Sequence, residues 1–174
     1  MKRRRTMAVG ALLLAASVGL SFVHPWGDVR SVSSSGQILD GSTVPDDVRK
    51  VLEKKCADCH SNQTHWPAYS RFAPTSWLME HDVYAGRAAA NLSRWEGMSA
   101  DDRIAMLTRI AAEARSGEMP TRPYAIAHPA TRLTESDKQE IAAWARAERK
   151  RIRTEIAEQK ITGQKERKKH ETGQ

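Results

Sequence analysis

Among its 174 residues this chain has only two cysteines, Cys56 and Cys59. There is no second cysteine pair at local spacing, so a four-ligand structural zinc site has nothing to complete it. No stretch alternates apolar and polar residues as a half-buried strand does, and no segment repeats. A thioredoxin-like dithiol, which needs a strand before its motif, therefore finds no support. Positive charge is also scarcer than it first looks. The formal charge is +7, but Lys2, Arg3, Arg4 and Arg5 precede the first apolar run; without them 24 bases stand against 21 acids, leaving +3. That bias is too weak to argue for nucleic acid.

The N-terminus reads as an export signal. "KRRR" is a positive leader, and "MAVGALLLAASVGLSFV", Met7 to Val23, is uninterrupted and apolar. As a helix those residues would reach about 26 Å, just short of a typical hydrocarbon core. The only small-residue cleavage pattern, Ala15-Ala16-Ser17, falls inside the run. An uncleaved membrane anchor over residues 1–23 is favoured over a cleaved signal. Either form places the remainder outside the cytoplasm, on the periplasmic side of the cytoplasmic membrane, because the positive flank stays inside. Residues 24–43, "HPWGDVRSVSSSGQILDGST", are rich in Ser and Gly without a sustained period and read as a linker.

The rest is helical in pattern. Val48, Val51, Leu52, Cys56 and Cys59 follow Pro45 at spacings of three and four, giving one helix face that ends on both thiols. A structured, aromatic loop follows, then a helix capped by Thr75 or Ser76 and weakened near its end by Gly86. Ser99 to Asp102 approximates a capping box, with Ile104, Leu107, Ile110, Ala111 and Ala114 as a buried face and Gly117 as terminator. Thr134 and Asp137 open a last helix carrying Ile141, Trp144, Ala145, Ile152 and Ile156. Residues 44–147 form the predicted domain; 148–174 form a charged helical extension whose tail after Gly163 is too polar to pack and is expected to be disordered. The predicted class is all-α, with short helices and long loops. Long loops need something to pack against, which points to a large apolar group the chain does not supply.

"CADCHSNQTHW", from Cys56, names that group. C-x-x-C-H is the attachment signature of c-type haem. Two thiols on one turn reach two vinyl groups of a porphyrin edge, and the next residue offers its imidazole to the iron. Cys56 and Cys59 are then covalent anchors and His60 the proximal ligand. A simple disulfide would give His60 no role. For the sixth position Met119 is favoured, in "SGEMPTRP" between two helices, since Pro120 biases it toward extended backbone and His/Met ligation suits an electron carrier. Met98, His65, His81 and His128 are the alternatives, while Met79 and Met106 read as core.

The stretch from Cys56 to Trp95 resembles the haem-binding domain family of exported bacterial, cytochrome c-like proteins. The shared pattern is Cys-x-x-Cys-His-Ser-Asn, Trp-Pro-x-Tyr-Ser, Ala-Pro-x-Ser-Trp-Leu, Asp-Val-x-x-Gly-Arg and Asn-x-Ser-x-Trp, with "SGEMP", "HP" and "LTESDKQEIAAW" later. The resemblance covers Val48 to Trp144. It implies a cytochrome c-like fold with one covalent haem c, and a loop proline whose carbonyl accepts the proximal histidine Nδ1 proton. Pro74 is the matching residue, with Pro67 second. Thr121-Arg122 stands where relatives often carry a second proline and an aromatic. Trp66, Tyr69, Trp77 and Trp95 are candidate haem-pocket walls, with ordinary core packing as the alternative for each. Arg87, and less so Arg71, is a candidate partner for the propionates. The function expected is a monohaem cytochrome shuttling single electrons between redox proteins outside the cytoplasm, and not an enzyme. A haem peroxidase or a gas or redox sensor is the alternative, and no residue pair here suits peroxide cleavage.

Overall fold

The computed structural model describes residues 2–34 and 36–172; Met1 of the expected export segment, Ser35 of the expected linker, and Gly173 and Gln174 of the tail lie outside the described residues. Among the described residues there are seven α-helices and no strand: α1 (Lys2–Leu20), α2 (Asp46–Lys55), α3 (Ala57–His60), α4 (Thr75–Ala89), α5 (Ala100–Ser116), α6 (Arg122–Ala127) and α7 (Glu135–Thr172). The expected all-α class holds. The chain divides into two compact units, one of Met1–Gly36 with Ala57–Ser93, the other of Gln37–Cys56 with Arg94–Gln174.

The first unit is organised by α4. Ser76, Met79, Glu80, Val83 and Gly86 recur every three or four residues and are its buried face. Neither Thr75 nor Ser76 caps it, contrary to expectation. Pro74 holds the cap position, Thr75 turns its hydroxyl back to the carbonyls of Tyr69 and Phe72, and Ser76 Oγ is buried without a partner. Against α4 lie α3 and a short 3-10 turn, Ala68–Arg71. The expected linker is not loose in this unit. Val29 is buried, and Arg30 bonds the buried Glu80 at 2.9 Å, donates to the Ser70 carbonyl and stacks over Trp66. His24 reaches the same carboxylate at 3.1 Å. A Ser- and Gly-rich composition signals a lack of periodicity, and residues 24–34 need none, because they are held one at a time by side-chain bonds.

In the second unit α5 packs along α7, and α2 against α7. Both predicted boxes are present. Ser99 Oγ accepts from Asp102 N, and Thr134 Oγ1 accepts from Asp137 N while the Asp137 carboxylate takes the Thr134 N–H. Gly117 ends α5 in the left-handed region at φ 74°. Met106, Leu107, Ala111 and Ala114 meet Ile141, Trp144, Ala145 and Ile152 as core. Residues 37–43 belong here as well. Ile38 and Leu39 are fully buried, and Thr43 bonds Glu148 through both its amide and its hydroxyl. Residues 118–133, expected as plain loop, contain α6 and a 3-10 turn, Pro129–Thr131.

Two further boundaries move. α2 stops at Lys55 and α3 starts at Ala57, with Cys56 between them at φ −125°, so the thiols do not share one continuous helix. The tail is helical, not disordered, as far as Thr172. Its polarity forbids burial but not helix. Glu, Lys, Gln and Arg are good helix formers, and Arg151 pairs with Glu148 and Glu155 along the helix. Position 148, read as the start of an appendage, is instead a buried core carboxylate. α1 includes the four leading cations and closes at Leu20, and no helix among the described residues is long and apolar enough to cross a membrane.

Candidate haem site

α3 is a single turn carrying Cys59 and His60, and it lies directly on α4. The contact is made at Gly86. A Cβ there would sit 2.4 Å from the Cys59 carbonyl oxygen, so only glycine admits the two backbones at this distance. In the sequence this glycine reads as a weak point in a helix; in the fold it is the seat of the turn that carries Cys59 and His60.

His60 is oriented from the far end of α4. Its Nδ1 lies 3.1 Å from the carbonyl oxygen of Ala90. Ala90 is the residue that ends α4, extended at φ −158°, ψ 119°, so its carbonyl is released from the helical ladder. A carbonyl only accepts, so this bond selects the Nδ1–H tautomer and assigns the lone pair to Nε2, the nitrogen that ligates a metal. The expected acceptor, Pro74, does not perform this role: its carbonyl receives Leu78 N in the first turn of α4. The sequence held no sign of Ala90, because a backbone acceptor has no residue signature.

Arg87 has a full set of partners within the protein. Its guanidinium donates to the carbonyls of Ser61 at 2.8 Å, Val29 at 2.8 Å and Val32 at 3.3 Å, and to Thr64 Oγ1 at 3.2 Å. It is a clamp between the residue after His60 and the segment at 29–32. Desolvation lowers its pKa, with Cys59 acting the other way. Asn62 completes the support. Its amide N–H donates to Ser93 Oγ, its side chain receives Asn91 Nδ2 at 2.9 Å, and its carbonyl accepts from Ser34 N. Cys-His-Ser-Asn and Asn-x-Ser, two separate strings of the family pattern, are thus halves of one network. Spacing alone gave no reason to pair them.

The aromatic candidates have specific partners. Trp66 is covered by Arg30, 4.1 Å above its ring. Trp77 Nε1 donates to the Val23 carbonyl at 2.8 Å. The Tyr69 phenol is pushed up by burial, then by Asp58 and Cys59. Trp95 belongs to the second unit, fully buried with the Arg103 guanidinium over its ring and its Nε1 without a hydrogen-bond partner. Arg71 is exposed.

Cys56 also lies in the second unit, closing α2 with its N–H on Leu52 O. Desolvation pushes its thiol up to about 12, opposed by Lys55 and assisted by Asp137. Lys55 and Asp137 form a close pair, 2.5 Å apart. Met119 follows the left-handed Gly117 and is 38% exposed, whereas Met79 and Met106 are buried core as expected and Met98 is half-buried. Of the histidine alternatives, His65 is exposed beside Asp58, His81 stands edge-on to Trp26, and His128 stacks on Tyr124 at 4.4 Å.

These residues suit haem. A histidine held through Nδ1, two thiols at C-x-x-C spacing and a close-packed turn are compatible with a c-type attachment site. The fold and site define an all-α haem protein. The sequence model of the haem-binding domain matches residues 15–147, more than half of the chain, and the chain belongs to that family. No curated protein and no solved structure matched it.

Proposed function

We propose that this protein is a monohaem c-type cytochrome that transfers single electrons to and from redox proteins outside the cytoplasm. Thioethers to Cys56 and Cys59 would hold the haem, with His60 and Met119 as axial ligands. The observation that supports the reading is the His60 Nδ1 to Ala90 carbonyl bond, which puts the imidazole lone pair on Nε2 and would raise its basicity toward an iron. The haem supplies the one-electron couple; the chain supplies ligands, orientation and burial. Gly86 and Arg87 keep the turn in one geometry, so that little has to reorganise when the charge changes. The apolar run and its cationic leader support export, with the N-terminal segment as the tether.

The test is maturation in an exporting host. One haem should add to the polypeptide mass and stay with it through acid–acetone extraction, and a redox titration should show a single one-electron wave. Colour that passes into the solvent would end the c-type reading. Rapid carbon monoxide binding by the reduced protein would favour a sensor or peroxidase instead.

A further inference from the structure

α1 does not hang from the haem-bearing unit by a flexible thread. Ser17 Oγ donates to the Ala73 carbonyl, and Ala73 N donates to Ser21 Oγ at 2.9 Å. Trp77 Nε1 bonds the Val23 carbonyl at 2.8 Å. The foot of α1 is therefore fastened to one corner of the unit, the turn from Phe72 into α4. That corner is apolar and uncovered: Phe72 is 50% exposed and Leu78 51%, with Phe22 at 81% on the α1 side. Each of the three neighbours a residue of the attachment in sequence: Phe22 lies between Ser21 and Val23, Phe72 precedes Ala73, and Leu78 follows Trp77.

The exposure of α1 itself identifies what covers it. Leu12, Leu13 and Leu14 are 70%, 64% and 66% exposed. Consecutive helical residues project about 100° apart, so these three leucines face most of the way round the helix. A groove covers one face of a helix; a helix apolar all round suits a protein core or a hydrocarbon phase, and α1, which buries no residue, has no core around it. Yet the uncharged helical part, Met7 to Leu20, is about 21 Å long, against about 30 Å for a bilayer core. A helix this short falls about 9 Å short of that thickness, and apolar surface at its foot, where the corner is fastened, would make up part of the difference.

We propose that the corner formed by Phe22, Phe72 and Leu78 is a lipid-docking surface that seats the haem-bearing unit in the phospholipid interface, continuing the apolar band of α1. The inference rests on the tethered reading of the N-terminus. Trp77, with its ring at this corner and its N–H already satisfied, is of the kind that favours such a boundary. Exposed Arg71 beside Phe72 supplies a cation for lipid phosphate.

The experiment uses the full-length, haem-loaded chain, one copy per phosphatidylcholine nanodisc, doped with a phospholipid carrying a diazirine on its acyl chain. After illumination, lipid adducts are mapped by peptide mass. Adducts are expected on peptides spanning residues 68–80 as well as on α1. The double variant Phe72→Ser, Leu78→Ser should lose most adducts at 68–80, while those on α1 and the haem spectrum stay unchanged. Adducts on α1 with none at 68–80 would overturn the docking surface and leave the tether standing. Adducts at 68–80 that survive the double variant would also overturn it. A mature chain that begins beyond residue 23 would remove the tether itself, and the docking surface with it.

Discussion

Adding one methyl group at Gly86 tests the seat of the haem turn. In Gly86→Ala the new Cβ would stand 2.4 Å from the Cys59 carbonyl oxygen, 2.9 Å from its carbon and 3.1 Å from its Cβ, where ordinary contact begins at 3.4 Å. α3 has to retreat by roughly 1 Å, because the obstructing atoms are backbone and have no rotamer to change. Overpacking of this kind costs about 1–3 kcal/mol, and rigid neighbours put this site toward the upper end. The helix itself gains about 1 kcal/mol from replacing glycine by alanine. The net loss is about 2 kcal/mol, or a Tm lower by about 4–8 °C for a chain of this size. The retreat also acts on His60, whose Nδ1 is 3.1 Å from Ala90 O and leaves hydrogen-bond range with a shift of that size.

Thermal melting and a redox titration of the haem-loaded variant read both effects, a lower Tm and a displaced potential. Gly163→Ala is the internal control. Gly163 lies within α7, and a methyl group added there would meet nothing within 4 Å, so the same substitution should stabilise by about 0.5–1 kcal/mol. If both alanine variants raise Tm alike, the close approach of α3 to α4 is not real and the argument built on it falls.

Three other substitutions probe separate parts. Met119→Ala should abolish the weak far-red absorption band of a methionine–iron bond, lower the potential and open the reduced haem to carbon monoxide, while Met98→Ala and His128→Ala leave all three nearly unchanged. Arg87→Ala leaves the Ser61 and Val29 carbonyls without their donor and should destabilise by about 3 kcal/mol, with Arg87→Lys recovering only part, since one ammonium cannot reach four acceptors; full recovery by lysine in denaturant melts would contradict the clamp. Burial pushes the Asp137 carboxyl up, but bonds from Lys55 and Thr134 outweigh it and hold its pKa below the usual 3.8. A depressed folded-state value means that this stability is present above the unfolded pKa and is lost as pH falls through the folded one. Acid melts of Asp137→Asn should therefore show a smaller loss of stability below about pH 4 than the parent does.

Helices were legible in the sequence wherever apolar residues recur on one face, as at Ile141, Trp144, Ala145 and Ile152, or where a box marks the start, as at Ser99 and Thr134. The haem motif was legible because its chemistry fixes two cysteines and a histidine within five positions. What stayed hidden rests on backbone atoms and on pairings across long separations. Ala90 supplies a carbonyl, Gly86 supplies the absence of a Cβ, and Asn62 meets Asn91 across 29 residues. None of these leaves a periodic trace. The polar tail misled for the opposite reason: composition reports whether a segment can be buried, whereas α7 continues on local propensity and ion pairs alone.

The segment between the apolar N-terminal run and the first predicted domain helix shows how a boundary drawn from composition goes wrong. A cut at Val44 looks safe on the sequence. It would remove Val29, Ile38 and Leu39, all buried, at about 1.5–3 kcal/mol for each side chain. It would also remove two of the carbonyls that receive Arg87, Arg30 from the buried Glu80, and the Thr43 hydroxyl from the buried Glu148. Each leaves a charge less well compensated inside the protein. Gross losses of roughly 5–9 kcal/mol from the apolar side chains alone approach the whole stability of a typical domain. A chain begun at His24 keeps every one of these contacts. The two should therefore differ sharply in haem-loaded yield from an exporting host, with the chain from His24 maturing and the chain from Val44 degraded or colourless. Equal yields would mean that residues 24–43 only connect, and that the haem turn is held without them.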